Sequence, residues 1–367
     1  MGAVIKNNLK HFLNLTIRKS NFETIRYPIY GIGFNDSGQI GYADYNVSSW
    51  TRIGSDNDWL IVSAGSNYGY AIKSDGTIWG VGSDRYGQMG GSGDKSSWTK
   101  IGTDNDWTSV SAGGNHGYAI KSDGTIWGIG YNTFGQIGGS GDKSSWTKIG
   151  TDADWVSVSG GYAHGYAIKT NGTIWGIGYN YYGQIGSSGN KSSWTEIGTV
   201  DTWVSVSSGY MHGYAVKSDG TIWGIGYNNY GQLGGTGDKS SWTKIGTDTD
   251  WVSVSSGYNH GYAIKSDGTI WGIGYNAAKQ IGGTGNKSVW TQIGANNDWL
   301  SVSSGSNHGY AIKSEGTVWG IGNNYYNQIG GTGNKSVWTQ IGTDNDWLYV
   351  SGGNNYGYGI RKIISDK

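Results

Sequence analysis

A period of 48 residues organises this chain. Trp59, Trp107, Trp155, Trp203, Trp251, Trp299 and Trp347 follow one another at that interval. Trp50, Trp98, Trp146, Trp194, Trp242, Trp290 and Trp338 keep the same spacing. So do Trp79, Trp127, Trp175, Trp223, Trp271 and Trp319, with Tyr30 standing at the front of the series. The three series use all 20 tryptophans of the 367 residues. A fixed period of this length marks a repeat architecture, in which each unit buries its apolar face only against its neighbours. No tryptophan is left over to build the core of a separate domain.

One unit reads as four strands. WVSVS (251–255) alternates apolar and polar residues, the period of a half-buried strand. HGYAIK (260–265) is a second strand, and the Asp267-Gly268 pair after it signals a tight hairpin, because glycine accepts positive φ. TIWGIG (269–274) returns, a polar glycine-rich loop follows, and VWTQIG (289–294) is the fourth strand. The turn recurs as Asp75-Gly76, Asp123-Gly124, Asn171-Gly172 and Asp219-Gly220, with Glu315-Gly316 as the one poor turn former. Four strands per unit at this period suggest the blades of a β-propeller, with an open solenoid as the rival.

The two ends of the pattern favour the propeller. It begins at Tyr30 on a third strand and finishes near Lys362 on a second strand. The fractions add to one whole unit, as a ring closed by a composite blade requires, and closure leaves no bare sheet edge. The expected fold is therefore all-β: a seven-bladed β-propeller over 30–362, with residues 30–54 completing the blade begun by 347–362. Residues 1–29 form an N-terminal arm and 363–367 a short C-terminal tail. The composition agrees. Gly, at 69 residues, suits turns, while 20 Trp and 27 Tyr supply ample apolar surface, unlike a disordered low-complexity chain.

The unit resembles the repeat of the regulator of chromosome condensation family. The resemblance is carried by Gly257 and His260, Ala263 and Ile264, Asp267-Gly268, Trp271-Gly272, and by Asn228, Gly231, Gln232, Leu233 and Gly234 in the preceding unit. It implies a seven-bladed propeller. The best-known member of that family is a nucleotide-exchange factor for a small GTPase that also docks on chromatin. This chain departs from that member: its units are short and even, with no long insertion to wedge into a GTPase. Outside the arm it carries 21 basic and 25 acidic residues, which argues against nucleic acid as a partner. A similar DGTIWG element occurs in tectonin-type propeller lectins.

Several residue sets invite a chemical reading. His116, His164, His212, His260 and His308 recur at the repeat interval, with Tyr68 and Tyr356 in the other two units. Equivalent positions in neighbouring blades lie too far apart for imidazoles to converge on one ion, so these read as histidines packed beside their own Gly turns. The pairs Asp56/Asp58, Asp104/Asp106, Asp152/Asp154, Asp248/Asp250 and Asp344/Asp346 suit calcium in principle, but read as turn formers. There is no cysteine, and no nucleophile triad, catalytic carboxylate pair or phosphate loop stands out. A non-catalytic chain without cofactor or metal is expected.

Positions at which near-identical units differ are the informative ones. One loop ends in Tyr86, Phe134, Tyr182, Tyr230, Ala278 and Tyr326. These aromatics either pack within the loops or stack on a sugar face or a partner protein. A second divergent segment, before each histidine, carries Tyr162, Tyr210 and Tyr258. In the arm, Ile5, Leu9, Phe12, Leu13 and Ile17 form an apolar strip, among five basic residues and one acidic. The strip either anchors the ring to other protein subunits or folds back on it. No apolar run approaches membrane-span length, and polar residues interrupt any secretory signal peptide.

The expectation is a binding or structural protein, a virion or injection-apparatus component such as a tail or capsid accessory subunit. Its loops would contact proteins or a host surface. A glycan-binding propeller lectin, and a cytoplasmic scaffold or guanine-nucleotide exchange factor, are the alternatives.

Overall fold

A computed structural model describes residues 23–41, 45–91, 93–199 and 202–366. These residues form seven four-stranded antiparallel sheets arranged as a ring of blades, and contain no helix. The first blade contains Trp59–Ala64, Tyr68–Lys73, Ile78–Gly82 and Lys95–Lys100, from axis to rim. Five more continuous blades follow, ending with the one that spans 299–340. The seventh pairs Trp347–Gly352 and Tyr356–Arg361 with Ile29–Phe34 and Asn46–Arg52. Tyr30 lies opposite Gly359 in its register and Gly33 opposite Tyr356. The ring is thus closed by both ends of the chain, as the complementary fractions require.

Beyond that seam the chain ends pair once more. Glu23–Arg26 runs antiparallel to Ile363–Asp366 as a two-stranded ribbon. It stands where the other blades have their tight turn between second and third strands. Tyr27 takes over the contact made by the turn glycine: its carbonyl accepts the Trp59 N–H at 3.2 Å, as Gly76 accepts that of Trp107 at 3.1 Å. The strip Ile5, Leu9, Phe12, Leu13 and Ile17 lies outside the described residues.

Why the strand reads HGYAIK follows from the wedge between blades. Tyr118 of the second blade is fully buried, and its hydroxyl donates to the Gln136 carbonyl at 2.6 Å. Its ring fills the notch left by Gly165 of the third blade, where a Cβ would meet it at 2.5 Å. The same donation from tyrosine to glutamine carbonyl recurs from Tyr70, Tyr166, Tyr214, Tyr262 and Tyr310, and at the seam from Tyr358 to Gln39. The apolar core is accordingly divided among the junctions. Tyr118, Ile120, Ile126, Ile137 and Ile149 of one blade pack on Trp155, Val158, Ala167 and Ile177 of the next. Burying one tryptophan contributes up to roughly 4–6 kcal/mol before chain entropy is counted.

The Asp-Gly turns form as the sequence implies. Asp123 Oδ1 accepts the Thr125 N–H at 2.9 Å and its hydroxyl at 2.7 Å, while Gly124 adopts φ +79°. A side chain on Gly124 would also strike the Ala153 carbonyl of the next blade, 2.3 Å from its Cβ. The turn therefore needs glycine twice, for its dihedral and for its neighbour.

Candidate interaction face

Antiparallel strands send alternate connections to opposite faces of the ring. One face carries the turns between second and third strands, together with the links from each blade to the next. There Lys121 lies over the rings of Trp107 and Trp127, 4.8 and 4.7 Å from their centroids. It is held by Asp104 at 2.7 Å and Asp106 at 3.1 Å. The paired aspartates are thus consumed as lysine clamps, repeated at Lys73, Lys169 and Lys265 and at Arg361. Burial alone pulls the Lys121 ammonium down, and the two carboxylates more than reverse it.

Two clamps are incomplete. In the sixth unit Asn296 replaces the first aspartate, and Lys313 pairs with Asp298 alone, at 3.2 Å. The fourth unit lacks both aspartates, with Val200 and Thr202 in their places. Lys217 there rests closer to its second ring, 3.9 Å from the Trp223 centroid. Its ammonium is held below the ordinary range by burial, against the weaker pull of Asp219.

Inside the ring runs a belt of His116, His164, His212, His260 and His308 with Tyr68 and Tyr356, all fully buried. The Tyr356 hydroxyl donates to the Tyr68 carbonyl at 2.5 Å, and that of Tyr68 to the His116 carbonyl. Each histidine ring faces the backbone of its counterpart in the next blade, His116 toward His164 and His308 toward Tyr356. Burial, joined by repulsion from neighbouring histidines, lowers His116, His212 and His260 to about 3. Burial alone lowers His164 and His308 to about 4. All five rings are therefore neutral at physiological pH. Among the described residues no three His, Cys, Asp or Glu are grouped to hold a metal ion.

A second belt lies nearer the axis. Ser111 Oγ accepts the Gly160 N–H, Ser159 that of Ser208, and the series closes at the seam, where Ser351 accepts that of Ala64. The seven bonds are 2.9–3.0 Å long.

The other face carries the loops between first and second strands and between third and fourth. They are tied together, as by the bond from Tyr131 N–H to the Asn115 carbonyl at 2.9 Å. At its centre a cavity of about 110 Å³ opens along the axis, lined by the glycines that follow the inner strands and by Tyr162, Tyr210 and Tyr258. The ring centroids of Tyr162 and Tyr210 are 4.6 Å apart, and those of Tyr210 and Tyr258 are 3.9 Å apart in a stack. Tyr162 and Tyr258 remain 42% and 38% exposed. The equivalent residues around the rest of the mouth are Ser66, Gly114, Ser306 and Asn354. The mouth is therefore aromatic on one arc and small or polar on the other.

The outer loop aromatics are placed differently. Tyr86, Phe134, Tyr182 and Tyr230 are half-buried and pack on Tyr131, Tyr179, Tyr227 and Tyr275 of the next blade, at 4.8–5.0 Å. Tyr326 packs across the seam on Phe34 at 4.5 Å. These rings bridge blades. Among the described residues the most exposed aromatics of the face are Tyr181 and Tyr325, 76% and 80% exposed, one position earlier in the same loop. Sequence reasoning passed over them because that position follows no rule: it holds Arg85, Thr133, Tyr181, Asn229, Ala277 and Tyr325. That irregularity was the available signal.

Comparison with known proteins supports the same architecture. The regulator of chromosome condensation (RCC1) repeat matches residues 61–88, 107–136, 155–184, 203–232, 251–280 and 299–328, and a second description of this repeat matches 219–264. Together the matches cover more than half of the chain. The chain belongs to the RCC1 repeat family. The seam blade escapes these matches because its strands come from opposite ends of the sequence. No curated protein matches the chain in sequence.

Among solved structures, human WBSCR16 superposes with a TM-score of 0.84 at 17% identity, over 92% of this chain and 99% of that one. Prp20p from Saccharomyces cerevisiae, whose structure was described with its binding to Gsp1p and histones, gives 0.82 at 17% identity over 92% of each chain. The same yeast protein bound to Kap60 gives 0.84 at 17% identity, over 94% of this chain and 91% of that one. At such identity the likeness establishes the fold. The RCC1-like propeller family is a binding and exchange-factor fold rather than a family of catalysts.

Proposed function

We propose that this RCC1-repeat ring is a docking protein that holds a protein partner on the face bearing Tyr162, Tyr210 and Tyr258. The observation that carries the reading is their placement: three consecutive units put tyrosine at the mouth where the other four have serine, glycine or asparagine. Neither belt nor junction needs those rings. Exposed tyrosines supply large contact area at low entropic cost and recur as interface anchors. The yeast relative with this fold engages other proteins.

Within that reading the chain serves as an accessory subunit of a larger assembly, a virion or injection apparatus, tethered through residues 1–29. Near-identical units and an apolar, basic arm support this placement. A lectin reading draws on Tyr181 and Tyr325, whose open faces suit stacking on sugar rings.

The test is the combined variant Tyr162→Ala, Tyr210→Ala, Tyr258→Ala, checked for native melting and then for partner retention. Loss of a partner that wild type and a Val156→Ala control on the other face both retain supports docking at the mouth. Equal retention by all three proteins refutes it. Removal of residues 1–22 should abolish incorporation into particles while the isolated ring still melts as wild type. Binding on a glycan array that disappears with Tyr181→Ala and Tyr325→Ala would replace the protein partner with a sugar.

A further inference from the structure

The six tight turns on the clamp face differ in one chemical respect. Their first residues are Asp75, Asp123, Asn171, Asp219, Asp267 and Glu315, so the third blade alone has an amide there. We propose that Asn171-Gly172 is a site of spontaneous deamidation, at which the folded turn itself poises the asparagine side chain for attack by the Gly172 nitrogen. The inference is independent of docking on the opposite face.

Asn171 is exposed, and its Oδ1 accepts two hydrogen bonds from Thr173, from the N–H at 3.1 Å and from the hydroxyl at 2.8 Å. A side-chain oxygen bonded two residues ahead holds the side chain against the intervening peptide, whose nitrogen is that of Gly172. Gly172 has no side chain to hinder the approach. The Thr173 hydroxyl is itself polarised, since it accepts the Trp175 indole N–H at 2.8 Å. When Gly172 nitrogen adds to Cγ, negative charge develops on Oδ1, where both donors already point. Preorganised donors at a developing oxyanion lower the barrier to acyl transfer. The Gly172 N–H also donates to the Lys169 carbonyl at 2.9 Å, and this bond must open first. Local opening of an exposed turn requires little free energy.

The step balances with water as the only co-reactant. The Gly172 nitrogen forms a bond to Cγ and loses its proton to solvent. The Cγ–Nδ2 bond breaks, and the amide nitrogen leaves as ammonia after taking up a proton. Water then opens the resulting succinimide. Cleavage between nitrogen and Cγ leaves aspartate, and cleavage between nitrogen and the main-chain carbonyl carbon leaves isoaspartate.

The product is not neutral for this blade. In the sister turns Lys100, Lys148 and Lys244 on the fourth strand help hold Asp75, Asp123 and Asp219 below the ordinary carboxylate range, after the Thr bonds. The third blade has Glu196 at that position, paired with Trp175 as Lys148 is with Trp127. A carboxylate at 171 would belong to a blade with an acid at the position where the blades of Asp75, Asp123 and Asp219 have a base.

The experiment is mass spectrometry of the full folded chain held at mildly alkaline pH, following the tryptic peptide that ends at Lys191. We expect amide-to-acid exchange localised to Asn171, with Asn171→Asp as the blank that does not change. Thr173→Val should slow the exchange by about tenfold, and Thr173→Ser should preserve it. Retention of the amide in folded protein while the urea-denatured chain converts would overturn the proposal. Equal rates in the valine and serine variants would overturn it as well.

Discussion

Two sets of seven residues, separated by a single position in the repeat, behave in opposite ways. The buried histidine belt admits only histidine or tyrosine: Tyr68, His116, His164, His212, His260, His308 and Tyr356. Two residues earlier, the mouth holds Ser66, Gly114, Tyr162, Tyr210, Tyr258, Ser306 and Asn354. The belt is enclosed on all sides, so a planar ring with a polar edge must fit the same space in every blade. The mouth has solvent on one side and holds side chains of several sizes, although at Gly114 a Cβ would meet the Tyr162 carbonyl at 2.4 Å. Repetition therefore tracks packing, and irregularity tracks what the packing leaves free. That difference is what makes the tyrosine arc a functional candidate and the histidines a structural one.

The largest effect should come from acid acting on the belt. The five histidines have folded pKa values near 3 or 4 because burial disfavours the imidazolium. The unfolded chain takes up protons near pH 6.5 and the folded ring does not. Stability is thus complete above that pH and falls as pH drops toward the folded values. At pH 5 the loss approaches about 2 kcal/mol per histidine. Urea midpoints measured from neutral to acid pH should fall steeply for wild type. They should fall much less for a variant with all five histidines replaced by tyrosine, the residue two blades already use. Parallel curves would mean that the belt is not what senses acid.

Next in size is a strike on a junction. Tyr118→Ala removes a fully buried ring and its bond to Gln136, and leaves a hole opposite Gly165. A loss of about 3–5 kcal/mol is expected in chemical denaturation. The sister variant Tyr214→Ala, in an equivalent wedge, should match it, since the two sites share partners and geometry. A marked inequality would show that the blades are less interchangeable than their sequences.

Much of the fold was legible because these same junctions write themselves into the chain. Trp155 recurs since each blade must cover the previous one, and Gly124 recurs since only glycine fits its turn. Ring closure was legible from the complementary fractions at Tyr30 and Lys362. The extra ribbon was not. Glu23–Arg26 and Ile363–Asp366 follow no repeat, and their pairing arises because the closing blade brings both ends to one place. The site was legible only in part. Tyr162, Tyr210 and Tyr258 stood out as departures, but sequence alone did not show that they touch, since 48 residues separate each from the next. Nothing in the sequence marks Tyr86 as packed or Tyr181 as open. Only the neighbouring blade distinguishes a ring that is packed from one that is open.

A smaller effect belongs to the clamp face, where Lys217 contrasts with Lys121. The two cations occupy equivalent places between tryptophans, yet carboxylates raise Lys121 while burial dominates Lys217. Thr202→Asp restores a carboxylate where Asp106 stands in the second blade. It should stabilise the ring by about 0.5–1 kcal/mol, a modest gain because the added acid is partly solvated. The gain should disappear in the double variant Thr202→Asp, Lys217→Met. A gain that survives the loss of the lysine would come from the loop itself and not from a completed clamp.

The smallest effect on stability is the most informative about function. Tyr210→Ala removes a ring that stacks on Tyr258 yet borders solvent, so melting should shift by no more than about 0.5 kcal/mol in unfolding free energy. The comparison between belt and mouth stands on that smallness. A loss as large as that of Tyr118→Ala would make the tyrosine arc part of the structural ring, and its asymmetry would then be an accident of packing. A near-neutral change would leave three adjacent tyrosines with no structural duty, held side by side at the opening of a rigid ring. A rigid scaffold presenting aromatics that its own stability does not require is the arrangement a docking site demands.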